Sequence, residues 1–296
     1  MMNLIRADLY RITRGKGIYI TFAVVLIANF FLVFGMSLLI NAAFTLAETV
    51  DPYAIVQIEE ALAEAGIVEG YLDIQSMWPN TGWGLVEILM SASNVLLYFL
   101  LPLIIFTAGA IFDYGTVKNT LARGMCRTKL YISKLISISI LCLILILFYM
   151  FTGMAMGALL GGMGTPAHPA PWLLLFQMII SRYIILLGAA SVGTFLVFVL
   201  RRSGAAIGTF IAYFMITSFV FMIIGSVLPS LSWILNLELS LTMQRMFAEQ
   251  GLSELAINIP AYMDTSDYII AFGTAVFYMV VPTIAGLALF RKAEIK

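Results

Sequence analysis

Apolar positions in this chain neither alternate nor recur on one face; they run on unbroken. Six such runs occupy residues 18–42, 85–110, 130–160, 172–200, 205–228 and 268–290. A helix crosses a hydrocarbon core of about 30 Å with about 20 residues, so each run predicts a membrane-spanning helix. The polar segments between them are unequal: 43–84 and 229–267 are long, 161–171 is a short turn holding Gly and Pro, and 111–129 is a loop on the opposite side. An even number of spans returns both termini to one side. The expected fold is all-α, a single domain over 1–296 with six transmembrane helices. Before the first span, Ile5, Leu9 and Ile12 recur at helical spacing with Arg6, Arg11 and Arg14 on the opposite arc, which predicts an interfacial helix over 1–17. Asp8 falls near the apolar arc and needs a partner, for which Arg11 is the nearest choice. A cleavable signal has an apolar region of about 7–15 residues, so the longer first run is read as an uncleaved helix.

Composition agrees with that class. Apolar residues make up 62% and charged residues 11%, against roughly 45–50% and 25% in soluble domains. Net charge is zero, which offers no basic field for nucleic acid. The distribution of charge matters more than its sum. With the N-terminus inside, fourteen of the sixteen Lys and Arg fall on one side, while the other side receives seven acids between Glu48 and Asp73, and also Glu238, Glu249, Glu254, Asp264 and Asp267. The positive-inside rule then places both termini in the cytoplasm, with the plasma membrane as the location. In the outer segment 43–84, Asp51, Pro52 and Gly66 are start and stop signals for a further helix. Cys126, Cys142 and the single His168 cannot build a disulfide framework or a metal site, and both thiols are expected to be inert.

The loop after the second span reads Asp113-Tyr-Gly115-Thr116-Val117-Lys118-Asn-Thr-Leu121-Ala-Arg123-Gly124, then Arg127-Thr-Lys-Leu-Tyr-Ile-Ser-Lys134. Gly115 allows a tight turn, Thr116 is a good N-cap, 117–123 give two helical turns, Gly124 supplies a stop and Thr128 can cap the next helix. A short cationic helix clamped between two spans can pass force from a cytosolic partner into the membrane. This stretch resembles the permease subunits of type-2 ATP-binding-cassette (ABC) exporters, a family that often has Glu where this chain has Asp113. The six spans, interfacial N-terminal helix and outer excursion before the last span are similar to that family as well. The resemblance implies a coupling helix that docks on a separate ATPase subunit, a second permease chain, identical or related, and ATP with Mg held by the ATPase rather than by this chain. It also implies outward movement of a peptide, drug, lipid-like or other amphipathic substrate. Within it, Asp113, Gly115, Thr116, Val117, Lys118, Leu121, Arg123 and Arg127 are the expected coupling residues, with Lys118, Arg123 and Arg127 in polar contact and Val117 and Leu121 as an apolar anchor.

No G-x-x-x-x-G-K-[ST] sequence occurs, so the chain has no P-loop for ATP phosphates. Neither a Ser/Lys pair, paired intramembrane Asp nor a His-based metal site is apparent, so no catalytic residue is assigned. Ionisable groups inside spans are few. Glu87 and Arg182 either pair, snorkel to an interface or line the outer half of a translocation path. Gly153, Gly157 and Gly161, and again Gly204 and Gly208, lie four apart and permit close helix contact, inside one chain or between two. An ATP-independent transporter or channel, or a membrane sensor or anchor, is the alternative reading.

Overall fold

The computed structural model describes residues 2–50, 82–83, 89, 95–113, 115–122, 124–164, 171–227, 239, 242, 249–252, 257–260 and 265–292. Amphipathic α1 (Met2–Arg14) ends at Gly15, whose amide donates to the Arg11 and Ile12 carbonyls at 3.1 and 3.0 Å. The chain re-enters helix at once as α2 (Lys16–Val50). The helix runs past residue 42, the expected end of the first span, to Val50, since Ala, Leu and Glu in 43–50 favour helix.

The second span is described from residue 95. It consists of α3 (Val95–Ile104), a π-helical turn (Ile105–Gly109) and α4 (Ala110–Asp113). Pro102 lacks an amide hydrogen and interrupts the i→i−4 ladder inside α3. The ladder then resumes with a wider ring, the Ala110 amide donating to the Ile105 carbonyl, while the Thr107 hydroxyl donates to the Leu103 carbonyl. A short helix, α5 (Thr116–Ala122), follows. The remaining spans are α6 (Arg127–Gly161), α7 (Pro171–Leu200), α8 (Ser203–Val227) and α9 (Thr265–Lys292). Pro171 takes the first helical position, where a missing amide costs nothing. In all, six helices are long and apolar enough to cross a membrane, and the chain is a helical, multi-span membrane protein by that criterion.

A small antiparallel ladder, β1 (Glu249–Leu252) with β2 (Ile257–Pro260), pairs Glu249 with Pro260 and Leu252 with Ile257. It lies in the segment 229–267, expected outside the membrane, and does not alter the helical class.

Among the described residues, α7 is the central helix. It packs along α9, and small residues let the two backbones approach: Ala189, Ala190, Ala271 and Ala275 are buried, and a Cβ on Gly188 would stand 3.2 Å from the Ala275 carbonyl. In contrast, α8 exposes most of its length. Large apolar side chains such as Phe31, Phe176, Phe219 and Phe277 point outward, as a lipid-facing surface requires. At one end Trp83 and Trp172 meet edge-on at 4.9 Å, and the Gly82 and Trp83 amides bond the Gly162 and Met163 carbonyls. The other end gathers α1, α5, the start of α6 and the ends of α7 and α9, together with most of the described basic residues. We call it the basic end.

Candidate functional site

The element that organises the basic end is α5, seven residues long and bracketed by glycines in left-handed conformation, Gly115 (φ 62°) and Gly124 (φ 79°). Their amides donate back to the Phe112 and Leu121 carbonyls at 3.1 and 3.0 Å, closing one tight turn on each side. Thr116 is not the N-cap expected from sequence. It is the first helical residue, and its hydroxyl donates backward to the Ile111 carbonyl at 3.3 Å. Thr128 does not cap α6 either; Cys126 takes that position with extended backbone.

Each side of α5 is tied to the body. The carboxylate of Asp113 accepts a hydrogen bond from the Ser203 hydroxyl, joining the end of span two to the start of α8. Val117 is 3% exposed, and Leu121 packs against the core. The pair therefore anchors α5 inward, which corrects the expectation that both form an outward apolar anchor. Lys118, Asn119 and Ala122 face outward instead. Arg123 lies outside the described residues. Arg127 is also reassigned by geometry: its Nη1 donates to the Phe290 and Arg291 carbonyls at 3.2 and 3.1 Å, holding the last turn of α9 where carbonyls lack helical partners. Beneath these contacts Phe198 meets Phe112, Tyr131 and Phe290 edge-on, with ring centroids 4.7–5.2 Å apart. Spans two, three, four and six thus share one aromatic junction, and its Phe112 carbonyl accepts the Gly115 amide that precedes α5.

Helix α1 is fixed to spans two and three. Asp8 does not pair with Arg11; it accepts from Lys134 Nζ at 2.5 Å, and the two side chains are only 10% and 2% exposed. Arg11 reaches the π turn, where its Nη2 donates to the Phe106 and Thr107 carbonyls at 3.4 and 3.3 Å. The sequence reading missed Lys134 as a partner, though a lysine seven residues into an apolar helix was the available signal. It also missed Asn29, which is buried in α2 and donates to the Tyr149 carbonyl and Thr152 hydroxyl at 3.1 and 2.8 Å.

Arg182 is 1% exposed inside α7, next to the Ser181 hydroxyl at 3.3 Å, so it neither snorkels nor faces lipid. Glu87, its expected partner, lies outside the described residues. The two glycine series separate. Gly153 and Gly157 are buried, and a Cβ on Gly153 would collide with Leu89; Gly204 and Gly208 are exposed, with nothing within 4 Å of a built Cβ. Gly161 closes α6, and its surroundings lie outside the description. Close packing within the chain is thus seen at Gly153, while Gly204 and Gly208 present an open face.

A groove of about 430 Å³ opens sideways between α6, α7 and α9, lined by apolar side chains with Ser139, Tyr183, Ser191 and Thr283 among them. Cys126 is exposed at the start of α6. The amide and hydroxyl of Thr128 and the amide of Lys129 favour its thiolate, holding the thiol below the ordinary range. Cys142 is buried. Among the described residues no group of His, Cys, Asp and Glu is placed to hold a metal ion.

A family model described as a protein of unknown function (DUF2705) matches residues 39–296, and the chain belongs to that family. The matched stretch runs from within α2 through α9. No curated protein matches the chain.

Proposed function

We propose that this DUF2705 member is the membrane subunit of an ATP-driven exporter of the ABC type, working with a separate ATPase and a second permease chain. The observation that carries the reading is α5: a short helix between two left-handed glycines, with Val117 buried, Leu121 packed against the core, and Lys118 and Asn119 turned outward. A partner that pushed on such a helix would move the spans together, because Val117, Asp113 and Arg127 bind its surroundings into one unit. The coupling surface in this reading is Lys118, Asn119 and Ala122, while Val117, Leu121 and Arg127 transmit rather than touch. Both termini and α5 lie in the cytoplasm, as the distribution of Lys and Arg implies. The sideways groove, apolar with a few hydroxyls, suits the alkyl part of an amphipathic cargo.

The test is affinity purification of the tagged chain from native membranes in mild detergent, with mass spectrometry and vanadate-sensitive ATP hydrolysis as readouts. A stoichiometric ATPase that is lost in Lys118→Glu/Asn119→Glu, with the chain still inserted, is the expected result. A chain that purifies alone and shows no nucleotide turnover sinks the proposal and favours an ATP-independent transporter, channel or sensor.

A further inference from the structure

Helix α1 turns its apolar face toward the protein, not the lipid. Leu4 and Ile12 pack into the core and Asp8 is buried against Lys134. The opposite ridge, Arg6, Tyr10, Thr13 and Arg14 at helical spacing, is exposed, and Arg14 lies over the Tyr10 ring at 4.8 Å from its centroid. Lys16, also exposed, begins α2 one residue past the break at Gly15. Asp8 is the only acid in the chain before Glu48, and its charge is consumed internally, so this ridge is cationic with no acid on it.

A second contact fixes which way the ridge looks. Tyr19, 63% exposed on the lipid-facing side of α2 beside exposed Ile20, folds back and donates from its hydroxyl to the Thr13 carbonyl at 2.8 Å. The Tyr10–Thr13–Arg14 edge is therefore carried over the lipid-facing side of the first turn of a span, at headgroup depth, with two tyrosines flanking it as in an interfacial belt. A mobile basic tail would reach the cytosol from any direction; this one is held in place by the Asp8–Lys134 pair and by Arg11 on the π turn.

We infer that the α1–α2 corner, with Arg14 and Lys16 at its centre and Arg6 two turns along, binds the phosphate headgroup of an anionic phospholipid from the leaflet at the basic end. Guanidinium and ammonium groups supply charge-assisted donors to the phosphate, and Tyr10 and Tyr19 sit against the glycerol and upper acyl region. The inference is independent of the exporter reading, since it needs only the corner and a bilayer.

Native mass spectrometry of the purified full chain, offered equal amounts of dioleoylphosphatidylglycerol and dioleoylphosphatidylcholine in detergent, reads the preference directly. The wild type should retain phosphatidylglycerol selectively. Each exposed basic residue removed from this corner should lower that preference about fivefold, so Arg14→Gln/Lys16→Gln should nearly abolish it and Arg6→Gln, tested alone, should weaken it. Arg291→Gln/Lys292→Gln removes the same charge at another helix end and should leave the preference unchanged. Equal loss in both double variants would reduce the effect to general positive charge and overturn the site. Undiminished preference in Arg14→Gln/Lys16→Gln, with Arg6→Gln also silent, would overturn it too. Displacement of bound phosphatidylglycerol by millimolar inorganic phosphate would refute the lipid as the ligand.

Discussion

Replacing Asp8 by Ala strands a lysine ammonium inside the protein. Lys134 is 2% exposed, its Nζ sits 2.5 Å from Asp8, and no other acid is bonded to it among the described residues. Breaking a buried pair from one side costs about 3–5 kcal/mol, because the surviving charge keeps its desolvation penalty and loses its compensation. Two features set the expectation at the low end, about 3 kcal/mol. The Asp8 side chain is 10% exposed, and Lys134 lies seven residues, about 10 Å, from the start of α6, within reach of snorkelling toward the interface. Replacing both partners by apolar residues of similar size, Asp8→Leu/Lys134→Met, removes the penalty along with the attraction and should return stability to within about 1 kcal/mol of wild type. The assay is unfolding of the purified chain in mixed micelles of increasing SDS fraction, followed by circular dichroism. A double-mutant cycle extracts the coupling, expected at about 2–3 kcal/mol. An Asp8→Ala loss below about 1 kcal/mol, or a double variant as unstable as the sum of its singles, refutes the claim that the pair locks α1 to α6.

Three further outcomes are expected. Arg127→Ala should cost about 1–3 kcal/mol by leaving the Phe290 and Arg291 carbonyls without a donor, with faster proteolysis of the C-terminal residues as the local readout. Gly286→Ala should destabilise by about 1–3 kcal/mol, since a Cβ there meets the buried Tyr131 hydroxyl and its ring carbons Cζ and Cε2 at 2.9 and 3.1 Å; Gly208→Ala, open on that side, should unfold with wild type. Maleimide should modify Cys126 and spare Cys142. Because the Cys126 thiol is held below the ordinary range, its thiolate persists at lower pH, and its labelling near neutrality should outpace an unstructured cysteine peptide and slow in Thr128→Val.

The six spans were legible because a membrane imposes length and apolarity on each helix separately, and neither depends on the partner. What failed depended on distance along the chain. Arg127 looks like a free surface cation in its own loop, yet its acceptors lie 163 and 164 residues away. Asp8 was recognisably misplaced on an apolar arc, but local spacing could offer only Arg11, while the true partner stands 126 residues on. Val117 and Leu121 were seen to share a face; which way that face turned depended on a core contributed by the other spans. The glycine series are identical in spacing, and only the neighbours differ, Leu89 over Gly153 and nothing over Gly208. Pro102 was a readable signal of a broken ladder, though not of the π turn that repairs it.

That turn has a mechanical consequence. A π turn stores one residue more than the α-helix around it, so shifting its pairing by one amide re-indexes everything downstream by about 100° of rotation and about 1.5 Å of travel. Downstream here means α4 and then α5. Were the turn to slip by one amide, α4 and α5 would advance by that step, and Arg11, bonded to the Phe106 and Thr107 carbonyls, would have to release first.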